Sequence, residues 1–157
     1  MCWRIDKKEF DNNPKNFRKK AQEDIIVYKF GTFWREDKCF HPYYHSNFTY
    51  IANSLNKELN LVTYKGYEYY SISEGYHSFI NKQMAFDESS SSILFGKVFE
   101  KNNVGKFIIP KGTEYYKNED GEIVSSQIIW TGEYYKSKDI KSNTFKQIES
   151  LQKSSNI

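Results

Sequence analysis

The chain of 157 residues has a formal net charge of +3 and a hydrophobic content of 38%. This length is typical of one domain with a substantial core, and no segment approaches the roughly 18 to 20 apolar residues that a membrane-spanning helix needs. Because +3 is too small a charge to indicate nucleic-acid binding, we expect neither a nucleic-acid nor a membrane partner. Residues 1–4 lead directly into charged residues, so we also expect no signal peptide and a location in the cytoplasm.

Two elements are predicted before residue 32. Asn13 and Pro14 are typical of a helix start, with asparagine as the N-cap and proline at the first helical position, so we expect a short helix through residues 15–22. Its inner face would hold Phe17 and Ala21, and its basic run at residues 18–20 is interpreted as a solvated face. Residues 25–30, IIVYKF, indicate a central strand buried on both faces, which Gly31 ends.

The middle of the chain is rich in aromatic residues. Residues 32–50 are predicted to be irregular, and residues 53–61 are typical of a loop or a short strand. The alternation of Leu59, Leu61 and Thr63 favours a strand that runs to about Tyr64. Residues 65–73 indicate a tyrosine-dense connector, and the motif EGYHSF at residues 74–79 follows with a turn at Gly75. We then expect a short helix over residues 81–88, a four-serine loop over residues 89–92 and a strand over residues 93–100.

The segment at residues 104–130 carries the strongest strand and turn signals, and we expect the rest of the chain to pack around it. Pro110, Lys111 and Gly112 indicate a turn, since proline fixes φ and glycine permits a positive φ. The sequence NEDG at residues 118–121 indicates a second, tight turn. Strands are predicted over residues 106–109, 114–116, 122–124 and 127–130.

These elements predict an α+β fold, a twisted, mainly antiparallel sheet of about five to seven strands with two or three short helices. We expect a single α+β domain over residues 1–135. Residues 136–157 are predicted to form a polar C-terminal tail that is partly helical or disordered.

No complete catalytic or metal-binding set is visible in the sequence. His41 and His45 have a spacing that would suit a metal site on a helix, but Pro42 lies between them, so we expect neither a metal nor a cofactor. His77 beside Tyr76 has two interpretations, an acid or base next to a stacking ring or a histidine with a structural hydrogen bond. The eight glycines form no phosphate-binding loop, and no serine lies in a nucleophile elbow.

Paired tyrosines are the most suggestive binding feature. Adjacent residues of a strand face opposite sides, so each pair would direct one ring to the core and one to the surface. Exposed tyrosines beside lysine or arginine form a stacking platform for bases or nucleotides, although tyrosine is also common on sheet surfaces for its β-propensity. The pairs are Tyr43-Tyr44, Tyr69-Tyr70, Tyr115-Tyr116 and Tyr134-Tyr135.

Three segments together resemble a family of small uncharacterised proteins carried by phages and mobile elements of gut Bacteroidetes. They are DIIVYK at residues 24–29, EGYHSF at residues 74–79, and KFIIPKGTEYYKNEDGEIVSSQII at residues 106–129. The resemblance spans about residues 21–131. It implies a viral accessory gene rather than a particular chemistry, and such accessory proteins often block host defence by binding an enzyme or a nucleotide signal.

The order of GYHSF, a short helix and ILFGKVFE also resembles the middle of ADP-ribosyltransferase folds. That resemblance implies an NAD-using transferase in which tyrosine, histidine and glutamate roles fall to Tyr28, Tyr76, His77 and either Glu114 or Glu122. None of these residues lies in a diagnostic context, and fold alone does not determine function.

We therefore favour a non-enzymatic counter-defence protein that binds and sequesters a nucleotide-like immune signal in the cytoplasm of the host cell. Its ligand-binding residues are predicted to be Arg35, Tyr43, Tyr44, Tyr76 and His77, and we expect a homodimer. The alternatives are the NAD-using transferase and a protein–protein inhibitor of a host defence factor.

Overall fold

A computed structural model describes residues 3–14, 17–42, 49–61, 63–72, 74–92, 103–136 and 139–140. In these ranges the protein is mostly antiparallel β-sheet with two helices. The strands are β1 (Trp3–Asp6), β2 (Arg18–Lys20), β3 (Ile25–Trp34), β4 (Cys39–Pro42), β5 (Thr63–Lys65), β6 (Tyr69–Ile72), β7 (Tyr76–Phe79), β8 (Asn103–Ile109), β9 (Glu114–Lys117), β10 (Glu122–Ser125) and β11 (Ile129–Lys136). The helices are α1 (Lys7–Asn12) and α2 (Lys82–Ser92). Neither helix is long and apolar enough to cross a membrane.

The main sheet has eight strands in the order β11-β8-β3-β7-β10-β9-β2, with β4 also paired to β3. A smaller sheet has the order β1-β6-β5, and every pairing in both sheets is antiparallel. In the main sheet β2 is the last strand at one end, so its outer edge has no partner within the described strands.

Three clusters of buried residues enclose the main sheet. On one face Val27, Phe107 and Trp130 form the largest cluster together with Phe40 of β4 and Tyr50. On the other face α2 covers one end through Phe86. The smaller sheet covers the other end through Ile72. Because strand residues alternate between faces, both sides of the main sheet are buried over most of its width.

The fold class is confirmed at the level of a mainly antiparallel sheet with few helices, but the number of strands is wrong. The described residues contain eleven strands in two sheets rather than about five to seven. The difference comes from strands of three or four residues, among them β6, which lies where a connector was predicted. In β6 Tyr70 and Ile72 are buried while Tyr69 is exposed, which is the alternation of a half-buried strand.

The predicted N-terminal helix through residues 15–22 is also wrong. The N-terminal helix is instead α1, which ends at Asn12, before the predicted helix would begin. It starts after Asp6, because the Asp6 carboxylate accepts hydrogen bonds from the backbone N–H groups of Lys8 and Glu9. Residues 18–20 instead form β2, which pairs with β9.

Several further boundaries differ from the predictions. Strand β4 lies in the region predicted to be irregular, and the strand predicted over residues 127–130 is β11, which begins at Ile129 and continues to Lys136. Gly31 does not end β3, which continues to Trp34 because the glycine allows the close approach of β4. The four serines at residues 89–92 continue α2 rather than form a loop. The predicted strand at residues 93–100 and the tail helix near Phe145 lie outside the described residues. Ile140 is buried in the cluster under α2.

Both predicted turns of the segment at residues 104–130 are confirmed. Thr113 N–H donates to the Pro110 carbonyl at 3.1 Å and Gly112 has φ +89°, the geometry of a type II turn. Gly121 has φ +84° and donates to the Asn118 carbonyl at 3.2 Å, which closes the β9–β10 hairpin.

Replacing Gly31 by alanine should destabilise the protein by about 2 kcal/mol, as overpacking of a close contact does. A Cβ atom at this position would lie 2.3 Å from the His41 carbonyl oxygen and 2.7 Å from the Phe40 ring. Thr32→Ala, at the next and partly exposed residue, is the control. Urea unfolding measures both variants, and equal midpoints for the two would contradict the prediction.

Candidate functional site

The structure does not gather the predicted ligand-binding residues on one surface. Tyr76 is buried in the largest cluster, where its hydroxyl donates to the Lys57 carbonyl at 2.5 Å. His77 is the next residue of β7 and therefore faces the opposite side of the sheet. Arg35 lies in the exposed turn between β3 and β4, and Tyr43 and Tyr44 lie outside the described residues. Ligand binding by this set stays a prediction.

The residues suggested for an NAD-using transferase are also dispersed. Tyr28 contacts the cluster beneath α2, on the face opposite to Tyr76. Glu114 forms an ion pair with Arg18 at the edge of the sheet. Glu122 accepts a hydrogen bond from the Asn118 side chain at 3.3 Å, and burial raises the pKa of its carboxyl.

His41 is held by interactions within its own hairpin. Its Nε2 lies 2.7 Å from Oδ2 of Asp37, and its ring stacks on Trp34 at a centroid distance of 3.9 Å. No group of three or more His, Cys, Asp or Glu side chains that could hold a metal ion occurs in the described part of the chain. His45 lies outside it.

Lys29 is the one lysine with a strongly shifted pKa among those described. It lies on the face of β3 that carries Val27, and its ammonium donates to the His77 carbonyl and lies 6.0 Å from the centroid of the Tyr50 ring. Part of its side chain reaches the surface, yet burial of the ammonium lowers the pKa of Lys29 from 10.5 to about 8. Because the ammonium contacts a strand carbonyl and a core tyrosine, its evident role is to join β3 to β7.

A basic surface lies around β2, at the end of the main sheet. It contains an open depression of about 670 Å³, here called the basic depression. It is lined by Arg18, Lys19, Lys20, Glu58, Lys111, Gly112, Thr113, Glu114, Ser126 and Gln127. Four of these residues are cationic and two are anionic, so the lining carries a net positive charge.

Three of the four cations are available to a ligand. Arg18 is paired with Glu114, but Lys19, Lys20 and Lys111 are exposed and have no ion-pair partner among the described residues. The lining also contains Thr113 and Ser126, which are 9% and 7% exposed. No hydrogen bond of either side-chain hydroxyl is found within the described ranges. Ammonium groups beside hydroxyl groups can bind a phosphoryl group, because both donate hydrogen bonds to its oxygens.

Two chain connections hold the basic depression in place. One is the type II turn between β8 and β9, and the other is the short connection from β2 to β3. They are joined by hydrogen bonds from Gly112 N–H to the Ala21 carbonyl at 2.8 Å and from Ala21 N–H to the Thr113 carbonyl at 2.9 Å. The Asp24 carboxylate accepts a third bond from Lys111 N–H at 2.8 Å. The position of Lys111 is therefore determined by backbone hydrogen bonds on both sides of the turn.

A second open depression, of about 800 Å³, shares β2 as a wall. Its other lining residues differ in chemistry, because they include a tyrosine, two isoleucines and two carboxylates rather than further lysines. This second depression is lined by Arg18, Lys19, Lys20, Gln22, Glu23, Asp24, Ile25, Ile26 and Tyr115. Burial raises the pKa of Tyr115, so its phenol stays protonated at neutral pH.

The sequence contained the signals for this site, but the predicted helix obscured them. The basic run at residues 18–20 and Lys111 are separated by about ninety positions in the chain, and only the pairing of β2 with β9 brings them together. The prediction that each tyrosine pair has one core ring and one surface ring is wrong for Tyr134 and Tyr135, which are both half-buried against opposite clusters. It fits a second pair, since Tyr69 is 48% exposed while Tyr70 is 6% exposed. In the next pair Tyr116 is buried and Tyr115 is partly exposed in the second depression.

Comparison of the chain with protein-family models, with curated proteins and with solved structures finds no match in any of the three.

The buried Lys29 should make stability depend on pH in alkaline solution. Between the folded-state pKa of about 8 and the ordinary value of 10.5, the unfolded chain keeps a proton that the folded chain has lost, so stability rises with pH across this window. The shift corresponds to about 3 kcal/mol as an upper value, and partial exposure reduces the expected rise to about 1 to 3 kcal/mol.

Urea unfolding of the wild type and Lys29→Met at several pH values between 7 and roughly 10.5 measures this effect. The rise should occur in the wild type and be missing from the variant, because methionine does not titrate. Lys65→Met removes an exposed lysine and controls for the loss of one charge. Parallel pH profiles for the wild type and Lys29→Met would refute the assignment.

Proposed function

We propose that the protein is a non-enzymatic binder of a small phosphorylated molecule of the nucleotide type, and that the phosphoryl group is held in the basic depression. The observation that carries the proposal is that Lys19, Lys20 and Lys111, none of them ion-paired within the described ranges, line one depression. The hydroxyl residues Thr113 and Ser126 belong to the same lining. Charge-assisted hydrogen bonds from such a set favour a dianionic phosphoryl group over a single carboxylate.

Electrostatics supports a small ligand rather than a nucleic acid. The lining of the basic depression contains Glu58 and Glu114 as well as its four cations, so the excess of positive charge is local and modest. A polynucleotide needs a basic surface long enough to contact many phosphates, whereas a single nucleotide needs only one such cluster. The ligand would reach this open site directly from solvent.

The positions of the residues suggested for transferase chemistry support a sequestering role. The residues suggested for transferase chemistry lie on different faces of the sheet. Of these residues only Glu114 lines the basic depression, and it is paired with Arg18. Together with the resemblance to phage accessory proteins, this favours a counter-defence protein that removes a nucleotide-like signal from the host cytoplasm. The homodimer remains part of this proposal.

Binding should depend on the lysines that line the basic depression. Lys20→Ala/Lys111→Ala should weaken the binding of pyrophosphate and of nucleotides at least about tenfold, because two charge-assisted hydrogen bonds are lost. Lys8→Ala/Lys65→Ala removes the same charge from exposed positions outside the site and should bind as the wild type does. Isothermal titration at low ionic strength measures both, since salt screens such contacts.

Native mass spectrometry of the same samples tests the absence of turnover and gives the oligomeric state. A bound ligand recovered with unchanged mass agrees with sequestration, whereas NAD consumed during incubation would indicate the transferase. If the wild type binds neither pyrophosphate nor any nucleotide, the proposed function is wrong.

A further inference from the structure

We infer that the second depression binds the base and sugar of the ligand, so that a nucleotide lies across β2 with its phosphate in the basic depression. This inference rests on the proposed function, since it concerns the other half of the same ligand. It assigns chemistry to a surface that phosphate binding alone does not require.

The position of β2 allows one extended ligand to occupy both depressions. The strand is the last in the main sheet, and its three residues line both depressions. Arg18 and Lys20 lie on the same face as Glu114, whereas Lys19 and its register partner Tyr115 lie on the other face. Because these three basic side chains line both depressions, a ligand bound in one depression can extend over the strand into the other.

The second depression offers the apolar and aromatic surface that a nucleobase needs. Tyr115 is partly exposed there, and Ile26 is 49% exposed although it follows the first residue of a central strand. An aromatic ring that packs on the core from one side and borders solvent on the other can stack with a base, and the neighbouring isoleucines can contact the edge of the base and the sugar. The basic depression has no aromatic residue in its lining.

The charges of the two depressions set the direction of the ligand. The three basic residues of β2 line both depressions, and the one further cation, Lys111, lines only the basic depression and favours it for the phosphoryl group. Each depression also has two carboxylates, which are Glu23 and Asp24 in the second depression. Carboxylate oxygens accept hydrogen bonds, so the same two residues suit the amino groups of a base or the hydroxyl groups of a ribose. The Asp24 carboxylate is held in place by the hydrogen bond that it accepts from Lys111 N–H.

Isothermal titration with pyrophosphate, ribose 5-phosphate, AMP and GMP tests the inference. At least one of the two nucleotides should bind about tenfold or more tightly than ribose 5-phosphate, because only the nucleotides carry a base that can stack. Pyrophosphate should bind to the basic depression without using the second depression.

Ile26→Ser and Glu23→Gln should reduce the advantage of the nucleotide over ribose 5-phosphate and leave pyrophosphate affinity within about twofold. Leu55→Ser is the matched control, since Leu55 is 73% exposed and lines neither depression. Circular dichroism of each variant checks that it is folded. The wild-type affinities for the nucleotides and for ribose 5-phosphate test the inference without any variant, so a variant that fails to fold does not make the test inconclusive.

The two proposals fail in different ways. If pyrophosphate binds but a base adds no affinity, or if the advantage of the base survives both substitutions in the second depression, this inference is overturned and the phosphate site stands. If pyrophosphate and all nucleotides fail to bind, the proposed function falls and the inference falls with it.

Discussion

The antiparallel pairing of β3 with β8 is the interaction on which the rest of the structure depends. It runs in continuous register from Ile25 opposite Ile109 to Gly31 opposite Asn103. Val27 and Phe107 bury one face of this pair, and Phe30 and Val104 bury the other. Because β11, β7 and β4 all attach to these two strands, both the width of the sheet and the two layers that cover it require the register to be correct.

The candidate site follows from how the chain leaves this central pair. Strand β3 begins at Ile25 and β8 ends at Ile109, and these two residues lie opposite each other. The connection that enters β3 and the turn that leaves β8 are therefore at the same end of the pair. Both lead to the strands at the edge of the sheet, and hydrogen bonds between Ala21, Gly112 and Thr113 tie them together. The basic depression therefore forms where two short connections meet an edge strand, a place at which side chains from distant parts of the sequence converge and remain open to solvent.

Local signals predicted those parts of the fold that depend on residues close in sequence. The apolar run at residues 25–30 and the turns at Gly112 and Gly121 were predicted from propensity and positive φ, and the structure contains them. The helix through residues 15–22 failed, because pairing with β9 outweighed the helix-start signal of Asn13 and Pro14. The site could not be predicted for the same reason, since Lys20 and Lys111 meet only through that pairing and its connections.

Basic residues on an edge strand have a second explanation, since lysine there prevents pairing with another sheet. That explanation accounts for the charge of β2, whose three residues are all exposed. It does not account for Lys111, which lies on a turn where no strand edge needs protection, or for Thr113 and Ser126, which place hydroxyls in the lining although both residues are nearly buried. A hydroxyl in this lining can donate a hydrogen bond to a phosphoryl oxygen, which the neighbouring lysines would also attract. Hydroxyls beside cations that have no ion-pair partner within the described residues are what the proposed phosphate site has beyond a protected edge.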